Sequence, residues 1–134
     1  MAITIEFIIF ASIFPIEEVY EYIGLEGNRK MLDEKRFVTL GNGYYTREQE
    51  ASITYTTGSV ETIDVNDAVK KIYDIVHPKE TEIIDCINKY KLQSMFCIGL
   101  NLSDNPIVSL SREFVDMASR LHASIDFDSY IICE

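Results

Sequence analysis

Apolar and polar residues alternate at the start of the chain. In residues 3 to 11, ITIEFIIFA, one side carries Ile3, Ile5, Phe7 and Ile9 and the other carries Thr4 and Glu6. That period, with β-branched and aromatic residues, predicts a half-buried strand. The spacing then lengthens. In PIEEVYEYIG, Ile16, Val19, Tyr20 and Ile23 recur as on one face of a helix, with Glu17, Glu18 and Glu21 opposite, Pro15 suited to the first turn and Gly24 to the stop. The early glutamates lie near the positive end of the helix dipole, which is reason enough for their presence.

A polar loop, LEGNRKMLDEK, leads to a predicted strand at 36 to 40, a turn at GNG (41 to 43), and one or two strands in YYTREQEASITYTTGSVETI, where Ile53 and Tyr55 alternate and Gly58 breaks the run. Asp64 is placed to cap a helix with an apolar stripe of Val65, Ala68, Val69, Ile72, Tyr73 and Val76, and Pro78 ends or kinks it. A second helix, roughly 79 to 91, presents Ile83, Ile84, Ile87 and Tyr90. Residues 94 to 102 read as a strand with Phe96, Ile98, Leu100 and Leu102 on one face. A helix from about 111 to 122 follows, capped by Ser111 and burying Phe114, Met117, Ala118 and Leu121. The order β-α-β-β-α-α-β-α-β predicts a single α+β domain over 1–134, with a mostly antiparallel sheet and helices packed on one face.

The closing strand, SIDFDSY, carries the most suggestive chemistry. Asp126, Asp128 and Tyr130 share one face, and Ile125 and Phe127 are expected to face the core. The two carboxylates can reach one cation, yet a tight site needs about six oxygens and no third ligand is evident. They are better taken as part of an acidic surface. Of the nucleophile and base combinations, only His77 and His122 offer an imidazole, and both fall at helix ends, where surface or capping roles suffice. No phosphate loop, nucleophile elbow or zinc motif occurs, so no catalytic, metal or cofactor residue is assigned.

Composition narrows the partners. The chain has 134 residues, 47 % of them hydrophobic, enough for one core, and a net charge of −10 that repels nucleic acid and anionic membranes and favours a cationic partner. Residues 1 to 28 carry −5 and residues 113 to 134 carry −4, nine of the ten net charges, so neighbouring ends would make one face strongly acidic. Between them Arg29, Lys30, Lys35 and Arg36 make a basic loop, a candidate anion site. Cys86, Cys97 and Cys133 have no paired spacing, which fits reduced core thiols in a cytoplasmic protein. The apolar start lacks a basic leader region and contains Glu6, unlike a signal peptide, and no run is long enough to span a membrane.

Three stretches, FPIEEVYEYIGLEGNRK (14 to 30), ASITYTTGSVETIDVNDAVKKIYDIVHPKETEIIDCINKY (51 to 90) and PIVSLSREFVDMASRLHASIDFDSY (106 to 130), resemble in order the bacterial family known as domain of unknown function 4279. The best marked is the last, a Leu-Ser before a helix and then an Ile-Asp-x-Asp-x-Tyr strand. The family's usual tryptophans are missing, and GNRKM stands at 27 to 31 where a Pro, a Trp and a Gly are typical, so no ligand site built on those aromatics is implied. The resemblance implies a fold and an intracellular bacterial setting but no reaction, and some similar small acidic proteins act as immunity partners of toxins.

The leading expectation is therefore binding rather than catalysis: an immunity-type protein neutralising a basic toxin domain through Glu17, Glu18, Glu21, Asp126, Asp128 and Tyr130. The alternatives are a small-ligand or anion-binding domain, with enzymatic activity left open, using the loop 29–36, and a structural or homo-oligomerisation module.

Overall fold

The computed structural model describes residues 2–31, 36–39, 45–48 and 50–130, the segments 36–39 and 45–48 and residue 130 by backbone alone. The predicted turn at 41 to 43, Lys35 and Cys133 lie outside the described residues.

The opening alternation becomes β1 (Ala2–Ala11), in which Ile3, Ile5, Phe7 and Ile9 are buried and the residues between them are half-exposed. It is flanked antiparallel by β5 (Ala51–Thr56) and β7 (Gln93–Asn101). β2 (Asn28–Lys30) pairs outside β5, and β8 (Ser124–Tyr130) lies parallel to β7 at the other edge, giving the order β2-β5-β1-β7-β8; β6 (Val60–Glu61) pairs the start of β1. β3 (Arg36–Thr39) and β4 (Tyr45–Glu48) form a separate two-stranded ladder. This is the predicted α+β fold with a mixed, mostly antiparallel open sheet. Where one strand at 36–40 and one or two after it are expected, the described residues hold five short ones, and β2 falls within the segment expected to be a polar loop, where Asn28 to Lys30 pair with β5.

Among the described residues four helices supply the second layer: α1 (Ile16–Ile23), α2 (Val65–Val76), α3 (Glu80–Tyr90) and α4 (Arg112–Arg120). Their apolar stripes and the buried strand residues form one core. An aromatic row crosses it, from Tyr55 and Phe7 at 6.4 Å through Phe96 at 4.6 Å to Phe114 at 4.8 Å. Asp64 caps α2, its carboxylate accepting from Asn66 N–H at 3.0 Å, and Ser111 caps α4 through the longer Phe114 N–H bond of 3.4 Å. Pro78 sits in a 3₁₀ turn (His77–Lys79) that separates α2 from α3; His77 before it keeps helical backbone, and the break falls instead at Lys79, whose φ is −114° and ψ 15°. Pro15 stands at the N-cap of α1, one residue before the expected first turn.

Two apolar placements differ from the sequence expectation. Phe127 is 46 % exposed, because among the described residues β8 is the outermost strand and no further strand meets the side of Phe127 away from β7. Leu102, expected to continue the β7 face, instead opens a 3₁₀ turn (Leu102–Asp104) and is exposed. Strand alternation shows which face a residue takes but is blind to whether the strand lies inside the sheet or at its edge.

Candidate functional site

The helix-free face of the sheet gathers acid from both ends of the chain. Glu6, Cys97 and Asp126 stand side by side on β1, β7 and β8, and Asp128 lies beside Gly99 one pair further along. Neighbouring strands are about 4.8 Å apart and alternate residues about 6.5 to 7 Å apart, so the three carboxylates form a strip rather than a chelate. Among the described residues no group of three or more His, Cys, Asp or Glu can hold a metal ion. Burial pushes the Cys97 thiol up, reinforced by Asp128, Glu6 and Asp126. Cys97 is thus a half-buried free thiol beneath negative charge, on the opposite face from the core, whereas Cys86 is a buried free thiol as expected. The backbone of Tyr130 pairs with Asn101; its side chain is outside the described residues.

The α1 glutamates lie elsewhere. α1 packs in the helix layer against β5 and α3. Two strands, β1 and β7, lie between β5 and β8 in the sheet, and the strip is on the other face. Glu17, Glu18 and Glu21 therefore form a second acidic surface that does not join Asp126 and Asp128. Glu17 is also partly committed: its carboxylate meets the Arg29 guanidinium at 2.6 Å, and that guanidinium lies 4.3 Å over the Tyr20 ring. Residues assigned to two different candidate sites thus satisfy one another. Lys30 is exposed beside Ser52, Arg36 is described by backbone only, and Lys35 falls outside the described residues, so the basic loop reduces here to Arg29 and Lys30, with Arg29 already bound to an acid.

A cleft between α1 and α3 is not foreshadowed by any motif. It has a volume of about 300 Å³ and is lined by Glu18, Val19 and Tyr22 from α1 and by Asp85, Cys86, Lys89 and Tyr90 from α3. The Tyr22 hydroxyl donates to Asp85 Oδ2 at 2.8 Å, a bond that raises the phenol's pKa and ties the helices at the rim. Burial pushes the Cys86 thiol up, which keeps it protonated at neutral pH and a poor nucleophile. The one sequence signal for this cleft is Tyr22 itself, an aromatic off the Ile16-Val19-Tyr20-Ile23 stripe.

The histidines behave as surface groups. His77 stacks on Tyr73 at 4.7 Å and contacts Glu80 at 3.4 Å, and Glu80 also accepts from Arg120 Nε at 2.6 Å. The result is a clasp between the start of α3 and the end of α4. His122 is exposed in left-handed backbone just after α4.

Among the described residues no helix is long and apolar enough to cross a membrane. The architecture is that of a two-layer α+β domain with an open, acid-bearing sheet face. A family model matches residues 1–132, and the chain belongs to the family described as a domain of unknown function, DUF4279. No curated protein and no solved structure matches it.

Proposed function

We propose that this is a non-catalytic protein-binding domain, an immunity-type protein that neutralises a basic bacterial toxin domain in the cytoplasm. The observation that carries the reading is the strip formed by Glu6 from the first strand and Asp126 and Asp128 from the last, which unites charge from the two acidic ends of the chain on one sheet face. Among the described residues none of the three is ion-paired, and both aspartates are exposed. Such a surface attracts a cationic partner over roughly the 10 Å Debye length of 0.1 M salt, speeding encounter and excluding acidic competitors more than it adds affinity.

The test is co-expression with the product of the adjacent gene. A complex that forms at low salt, weakens at high salt and associates more slowly after Asp126→Asn with Asp128→Asn supports the reading. No complex at low salt overturns it, and a stable dimer of the chain alone, seen by light scattering, puts an oligomerisation module in its place.

A further inference from the structure

The cleft between α1 and α3 combines an apolar floor with a charged and aromatic rim. Its floor is apolar, Val19 and Cys86 being buried, while its rim carries the carboxylates of Glu18 and Asp85 and the rings of Tyr22 and Tyr90. Tyr22 is 54 % exposed, a large aromatic kept at the surface by its bond to Asp85. That bond uses Oδ2 of Asp85 as acceptor. The chain supplies a cation of its own here: the Lys89 ammonium lies 5.2 Å from the centroid of the Tyr90 ring, within cation–π range. A flexible, exposed lysine is a weak occupant, since its stem keeps rotamer freedom when another cation replaces it.

We propose that this cleft receives the alkyl-guanidinium or alkyl-ammonium side chain of a basic partner protein, displacing Lys89. The methylene stem lies against Val19 and Cys86, the charged head meets Asp85 and Glu18, and the faces of Tyr22 and Tyr90 flank it. Ligand pockets start at about 300 Å³, so a cleft of about 300 Å³ suits a side chain better than a cofactor. The proposal rests on the protein-binding reading for the source of the cation, but uses a surface on the other layer of the fold from the acidic strip.

The test is an NMR titration of the full chain with butylguanidinium, its neutral counterpart butylurea, and a capped Gly-Gly-Arg-Gly-Gly peptide. Saturable shifts confined to amides of residues 18–22 and 85–90, given by the cation and by the peptide at least as strongly, and not by the urea, are expected. Asp85→Asn should weaken binding roughly two- to fivefold, the scale of one exposed ion pair. Lys89→Ala should strengthen it roughly two- to fivefold by removing the resident cation. Equal shifts with butylurea, shifts only around Asp126 and Asp128, or no shifts overturn the cleft. Binding of butylguanidinium with exclusion of the peptide overturns the protein side chain as the source. A blank titration beside an intact partner complex removes this proposal alone; a positive titration without a partner complex removes the immunity reading and leaves a cation cleft.

Discussion

Tyr55 has a fully buried ring and a hydroxyl with no hydrogen-bond partner among the described residues. A buried, unsatisfied hydroxyl costs about 1–3 kcal/mol. Tyr55→Phe is therefore expected to leave stability unchanged or raise it by about 1 kcal/mol, read from the urea midpoint. Burial, with smaller contributions from Tyr20 and Cys86, pushes the phenol of Tyr55 well above its ordinary value of 10.0. A group that holds its proton more tightly when folded contributes its full stability below the unfolded pKa and loses it as pH rises beyond. Stability should thus decline above about pH 10, by at most about 1.4 kcal/mol per pH unit for this one proton, and Tyr55→Phe should remove that part of the slope. Beside it, a Cβ on Gly27 would lie 2.7 Å from both the Thr54 carbonyl oxygen and the Tyr55 ring. Backbone cannot yield as a flexible side chain can, so Gly27→Ala should destabilise by about 1–3 kcal/mol, whereas Gly99→Ala, whose Cβ would meet only Thr4 O at 3.6 Å, should be far milder.

Among the elements, the two capped helices give a graded test. The Asp64 cap of α2 is made at 3.0 Å and the Ser111 cap of α4 at 3.4 Å, so Asp64→Ala should lower stability by about 1 kcal/mol and Ser111→Ala by less, measured by chemical denaturation. Both caps are readable in the sequence because a capping side chain acts within three residues of itself. The same locality makes β1, β7 and the apolar stripes of all four helices readable. The edge position of β8 is not, since it depends on which strands pair across as many as 95 residues, from Thr4 to Gly99, and Phe127 is misplaced for that reason. The acidic strip is half readable: alternation puts Asp126 and Asp128 on one face, but only the ladder through Cys97 adds Glu6 and leaves Glu17, Glu18 and Glu21 behind. The α1–α3 cleft needs two helices brought together although β2 to β6 and α2 lie between them in the chain, and the pairing of Arg29 with Glu17, only 12 residues apart, depends on α1 and β2 both packing against β5.

For the whole molecule, which carries a net charge of −10, two acidic surfaces lie on different layers, one on the helix-free face of the sheet and one along α1. That division predicts two separable effects in a complex. Charge removal on the strip should slow association with little change in dissociation, whereas truncating a residue that walls the α1–α3 cleft should speed dissociation. The measurement that bears most directly on the binding reading is the association rate of the purified chain with the product of its adjacent gene, followed as salt is raised. The account predicts rapid association at low salt that falls steeply as salt is raised, and a smaller salt dependence in the Asp126→Asn, Asp128→Asn double variant. Absence of association at low salt, or a rate indifferent both to salt and to those two carboxylates, would contradict it.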